Sequence, residues 1–267
     1  AHKQYKQTEQ YYIKQGENIE QVLKQKMNVQ QEKSTDGTII VNVDNPLRYE
    51  FENVGNILNV LKPKNLAISI LEMLTFLFGP FIFGFFGILL ATYDFKNKTV
   101  KLKSLQQSWT NNILAKHLVS IISVASLIIL IFLVSRVISE FLYSYATSSI
   151  ENASQFIIQE QTVSQSNIFI KLLISIFIGS TFSTIGFTFG LIYKNAIVPV
   201  ITLAIYNFFV PNLGKYDLKN IVSVTGHRFF EFKSGMFRLF NPVEINSSVA
   251  ITILIVIVVL LGCANMI

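Results

Sequence analysis

Four long stretches of this chain carry few polar side chains, and polar segments separate them. A helix of about 20 apolar residues crosses the roughly 30 Å hydrocarbon core of a bilayer. The runs at 71–93, 118–141, 168–193 and 249–267 meet that length, so each is predicted to be a transmembrane helix. A fifth run, 196–211, is shorter and contains Pro199. At about 1.5 Å of rise per residue it crosses only if the helix continues or the bilayer thins. The fold class predicted from this pattern is an all-α polytopic membrane protein, a bundle of transmembrane helices spanning 66–267.

Residues 1–65 read differently. In "ENIEQVLKQKMNVQQEK" the apolar residues Ile19, Val22, Leu23 and Met27 recur at helical spacing on a solvated helix. "TIIVNV" reads as a short strand ended by "DNP" at 44–46. This segment is expected to be a small extramembrane cap, a helix plus a short strand, whose stripe packs on its neighbours; the competing reading is a membrane-surface helix.

Inside the spans, Gly79, Pro80, Gly84 and Gly87 point to close helix approach or bending. Arg136 and Glu140 stand four apart, so they can pair on one helix face, and near the helix end they are expected to be anchors that snorkel to water. Glu72 and Lys171, near the ends of their spans, are expected to snorkel to water. With no buried acid or base then expected in the spans, an apolar or amphipathic cargo fits better than an ion.

Composition agrees with the pattern. The chain has 267 residues, 51% of them hydrophobic and 14% charged, against about a quarter charged in a soluble domain. The net charge of +6 suits lysines facing anionic lipid and the cytoplasm, not nucleic acid. Orientation follows from short-loop lysines. Lys96, Lys98, Lys101, Lys103 and Lys116 face only Asp94 in the 94–116 stretch, whereas 142–167 carries Glu151 and Glu160 and no base. The basic loop and the turn at Lys194 are therefore expected in the cytoplasm, and the acidic loop outside. Alternation places 212–248 outside too, against a mild basic excess, and lets its aromatic run "HRFFEFKSGMFRLFNP" dip back into the membrane edge. Residues 1–65 then lie outside, which requires a further span upstream.

No catalytic group or metal ligand is predicted. The phosphate-binding pattern G-x-x-x-x-G-K-[ST] is missing, as is H-E-x-x-H, and His2, His117 and His227 are far apart in sequence. Cys263 is the single cysteine, which excludes an internal disulfide. "GSTFSTIGFTFG" lacks the G-x-S-x-G of a nucleophile elbow, so its hydroxyls are expected to bond across helices. The chain is not expected to be an enzyme.

The stretch "DFKNKTVKLKSLQQSWTNNILAKHLVS" holds the most informative pattern. Leu102, Leu105, Trp109 and Ile113 recur at spacings of three and four, predicting one amphipathic helix over about 97–113. Two uses are open. It can lie on anionic lipid as a connector, or press its stripe into a groove on a cytoplasmic partner.

The order of features resembles the permease subunit of ABC-2 type transporters. In that family an acidic residue ends the second span, followed by Gly-Thr, a coupling helix and a Lys that opens the third span. Asp94, Thr99, the helix through Trp109 and Lys116 stand in that order here. Asp94 replaces the usual Glu, Lys98 the usual Gly, and "QSWTN" stands where Pro-x-Ser-Arg is usual. By topology the likeness covers 66–267, with a large outer segment before it and a broken fifth span followed by an outer re-entrant segment at about 212–248. The usual first span would precede this chain.

The resemblance implies an ATP-driven exporter in a bacterial cell membrane, moving a peptide, lipid or drug. Its ATP-binding ABC subunit would be a separate chain carrying ATP and Mg, and would couple through Asp94, Thr99, Leu102, Leu105, Trp109 and Ile113. A second permease subunit, identical or not, would complete a path lined by Phe78, Phe81, Phe85, Ile201, Ile205 and Phe208. Membrane lipid is the remaining partner. A reading from another class is a non-transporting membrane sensor or immunity protein whose outer 1–65 segment binds a ligand.

Overall fold

A computed structural model describes residues 1–33, 39–106, 108–156, 167–232 and 237–266. The chain forms two compact units, Ala1–Leu66 with Arg136–Thr162, and Ala67–Ser135 with Val163–Ile267.

The first unit is the cap. Helix α1 (His2–Lys14) and short helix α2 (Ile19–Lys24) precede a hairpin of strands β1 (Val29–Lys33) and β2 (Ile39–Val43), and then comes helix α3 (Pro46–Leu61). The strands are antiparallel, with Val29 opposite Val43 and Lys33 opposite Ile39. Asn45 starts α3: its Oδ1 accepts from the Arg48 N–H at 3.0 Å, and Pro46 supplies a preset φ where no N–H is needed. The same side chain donates through Nδ2 to the Val22 carbonyl at 2.7 Å, tying α2 to α3. Tyr5, Val22, Leu47, Val54, Leu58 and Phe156 form the core. Phe156 lies on a 3₁₀ turn, Ala153–Phe156.

Here the predicted helix over 17–33 is corrected. It stops at Lys24, and Met27 is outside it. Residues 29–33 pair instead with the β-branched run 39–43, a partner that helical periodicity does not reveal.

The second unit is a helical bundle. Four helices are long and apolar enough to cross a membrane: Pro63–Lys96, Trp109–Ser149, Ile168–Tyr193 and Ser247–Met266. The first comprises α4 (Pro63–Glu72), a π-helical stretch (Met73–Phe78) and α5 (Gly79–Lys96). Pro80 has no N–H for the carbonyl one turn earlier, and widening to π register absorbs that loss. Short α6 (Val100–Gln106) leads to α7 (Trp109–Ser149), which runs eight residues past the predicted end at 141. Helix α8 is Ile168–Tyr193, α9 is Ile197–Phe208, α10 is Leu218–Phe229 and α11 is Ser247–Met266.

Helix α8 is the axis on which α5, α9, α10 and α11 pack. The closest approach is to α5. A Cβ on Gly186 would stand 1.9 Å from the Gly84 carbonyl oxygen, and one on Gly87 would stand 2.0 Å from that of Ser183. Only hydrogen fits at either position. Helices are thus joined by shape and by hydroxyls: Thr75 donates to Ser175 at 2.8 Å, and Ser120 and Ser183 bond at 2.6 Å.

Arg136 and Glu140 are both exposed, with no ion pair between them among the described residues. One expectation about charge is overturned. Glu72 and Lys171 do not snorkel: they are 2% and 1% exposed. The Thr75–Ser175 bond holds the π-helical stretch and α8 together one turn beyond them, so both side chains lie inside the protein instead of reaching toward water. Their buried charges remove the premise on which an ionic cargo was disfavoured.

Candidate functional site

Helix α5 ends at Lys96, and three residues later the chain turns into α6. The turn is built on Asp94. Its carbonyl accepts from the Thr99 N–H at 3.0 Å, and its Oδ1 from the Thr99 hydroxyl at 3.2 Å. Between them Lys98 takes φ 56°, a left-handed conformation that costs a non-glycine residue about 1–2 kcal/mol. The family resemblance expects Gly there, and Gly adopts this conformation freely.

The Asp94 carboxylate is also an electrostatic anchor. Its Oδ2 lies 2.8 Å from the Lys116 Nζ, in a pair whose side chains are 5% and 13% exposed. Lys116 also donates to the Leu90 carbonyl at 3.2 Å. Since Lys116 sits near the start of α7, one carboxylate clasps the end of α5, the turn into α6 and the first turns of α7. A pair so deeply buried is maintained by geometry, and removing one partner strands the other charge.

Further contacts lock the same end of the bundle. Asn265, near the end of α11, donates to the Thr188 hydroxyl on α8 at 3.0 Å and lies 3.3 Å from the His117 Nε2 on α7. Ile113, Ala91 and Phe187 form a small buried cluster beside it, with Trp109 packed on its edge. The ends of α5, α8 and α11 therefore meet the start of α7.

This arrangement corrects the predicted amphipathic helix over 97–113. Helix α6 holds only Val100–Gln106, and Trp109 begins the long apolar helix α7. Ile113 is fully buried and faces the bundle. The stripe broke because Ile113 and Trp109 gain more by covering Ala91 and Phe187 than by lying at a surface. Leu105, by contrast, is 85% exposed. Leu102 lies on α6, but its side chain is outside the described residues. Of the coupling candidates whose side chains are described, Asp94 and Thr99 are hydrogen-bonded to each other and only Leu105 is exposed at the surface.

The residues expected along a substrate path lie on α9, α5 and the π-helical stretch preceding α5. Phe78, Phe85, Ile201, Ile205 and Phe208 are exposed, while Phe81 is half-buried and lies 5.4 Å from the Phe208 ring and 6.2 Å from that of Phe85. Leu203 anchors α9 by filling the space over Gly84, which turns Ile201 and Ile205 outward.

Sequence reasoning missed α10. Asn220–Gly226 are all buried. Asn220 works as a clamp: Nδ2 donates to the carbonyls of Lys215 and Val243 at 2.9 and 3.0 Å, and Oδ1 accepts from the Val243 N–H at 2.7 Å. The signal available was the apolar "NIVSV" inside a polar segment. Asn265, lone in an apolar span, was a second overlooked signal.

Among the described residues no group of His, Cys, Asp and Glu could hold a metal ion. No family model matches this chain, and no curated protein or solved structure matches it either.

Proposed function

We propose that this chain is the permease subunit of an ATP-driven, ABC-2-like exporter in the bacterial cell membrane. A separate ATPase subunit would supply nucleotide chemistry, with ATP and Mg on that partner, and a second permease copy would complete the translocation path. The observation that carries this reading is the Asp94 clasp. The turn that leads into α6, a short helix that exposes Leu105, is tied through one buried carboxylate to two long apolar helices, so a push on α6 is delivered to α5 and α7 together. That is what a separate motor needs in order to bias a two-state bundle.

The lysines of the 94–116 loop support a reading in which this end faces the cytoplasm and residues 1–65 lie outside. The aromatic surface of α5 and α9 supports an apolar or amphipathic cargo and a partner copy facing it.

Leu105 carries the test. Trp109 is packed into the body, so changing it mixes folding with coupling. Leu105→Glu touches only the exposed tip. The expected result is loss of association with the co-encoded ATPase by about tenfold or more, the scale of a central interface anchor, with insertion and elution profile unchanged. Full ATPase association and stimulation in that variant overturns the reading.

A further inference from the structure

A cavity of about 520 Å³ opens within the bundle unit where the π-helical stretch, the end of α9 and the start of α10 converge. Its walls are mainly apolar, including Phe76, Phe182, Val222 and Leu239. The volume falls in the range of about 300–1,000 Å³ typical of small-molecule sites. The π-helical stretch Met73–Phe78 contributes Phe76 and Leu77 to the wall. π-helical turns of this kind recur at binding sites because they open space beside a helix.

A mainly apolar lining also carries Tyr206, Asn207 and Asn212 and two cations, Lys219 and Arg238. Lys219 is held in place. Its Nζ donates to the Asn207 carbonyl at 3.1 Å and to that of Val210, and sits 5.1 Å from the centre of the Tyr206 ring. Arg238 is different. It is exposed and has no ion pair among the described residues. An apolar chamber with an unpaired guanidinium in its lining matches a ligand with a long hydrocarbon chain and one anionic end.

We propose that this cavity binds a single-chain anionic amphiphile, its acyl chain among Phe76, Phe182, Val222 and Leu239 and its anionic head on Arg238. The Lys219 charge at the same wall is offset by the Asp217 carboxylate beside it, which leaves the head group to Arg238. A carboxylate or phosphate head suits the guanidinium, which forms paired charge-assisted hydrogen bonds with either. A neutral alcohol of equal length leaves that contact unmade. The site stands whether or not the chain transports anything.

The test uses the full chain in phosphatidylcholine nanodiscs and a palmitate analogue with a photoreactive group in its chain. Saturable labelling of peptides containing Phe76 or Leu239 is expected. Val222→Trp, which fills the chamber, reduces labelling about tenfold, and Arg238→Gln lowers affinity for the carboxylate by about the same factor while leaving a hexadecanol analogue unaffected. Should Val222→Trp fail to fold, Leu239→Trp fills the chamber from another wall. Replacing part of the phosphatidylcholine with phosphatidylglycerol separates the sources. Competition supports the site with bilayer lipid as its ligand, and undiminished labelling supports it with free carboxylates. Unsaturable labelling, labelling unchanged in the folded filled variant, or equal affinity for acid and alcohol overturns the proposal.

Discussion

In the cap, the Phe156 ring is closed off edge-on by Tyr5 and tilted against Phe51, each at 5.0 Å between centroids. In the bundle, the tightest contacts are glycine on backbone and hydroxyl on hydroxyl, at Gly186–Gly84 and Ser120–Ser183. The difference follows from the solvent each unit is built for. A cap helix leaving its neighbours exposes apolar surface to water, so large rings hold it. A span leaving its neighbours meets lipid as apolar as itself, so close approach and hydrogen bonds must do the holding. The exposed leucines and isoleucines of α7 and α11 are ordinary surface in that setting.

The strongest way to break this contrast is Gly186→Leu. A side chain cannot enter the 1.9 Å left over the Gly84 carbonyl, so α5 and α8 must separate. Loss of the monodisperse peak in size-exclusion chromatography in detergent is expected. Phe156→Ala comes next, at about 3–5 kcal/mol for a fully buried ring, read as loss of protease protection in the cap while the bundle still resists. If the bundle collapsed with it, the two units would not be independently held.

Ser120→Ala sharpens the comparison from the other side. Despite the 2.6 Å bond to Ser183, its cost should be only about 0.6 kcal/mol and at most about 1.7, measured by thermal denaturation in detergent. A larger loss would mean the hydroxyls outweigh the glycines.

The smallest effect concerns Asp217, outside the long spans. Burial pushes its carboxyl up, but the Leu213 N–H, the Tyr206 hydroxyl, the Lys219 N–H and the Lys219 charge together bring it below its ordinary value of 3.8. A depressed carboxylate stabilises the fold above that ordinary value, and the contribution fades as pH falls through the lower folded value. For a partly exposed group this amounts to less than about 1 kcal/mol. Faster exchange of the Leu213 and Lys219 amides below pH 3.8, relative to the cap, would register it; Asp217→Asn should remove that pH dependence.

The candidate site was legible in part. Asp94, Thr99 and Lys116 were marked by order along the chain, and they meet. Trp109 and Ile113 were misplaced because spacings of three and four fit a surface helix and the first turns of a span equally well. Only the presence of Ala91 and Phe187 beside them decided the matter. Glu72 and Lys171 were misplaced for a related reason: position near a span's end allows an escape to water, but does not say whether a neighbouring helix blocks it.

What the amino-acid order settled alone is the number and greasiness of the long helices, because crossing a hydrocarbon layer is a demand each segment meets by itself. Tertiary structure decided where charges pair, where α10 is clamped, and where a chamber opens beside the π-helical turn. Those outcomes depend on residues far apart in the chain, such as Thr75 with Ser175 or Asn220 with Val243, whose meeting no local periodicity encodes.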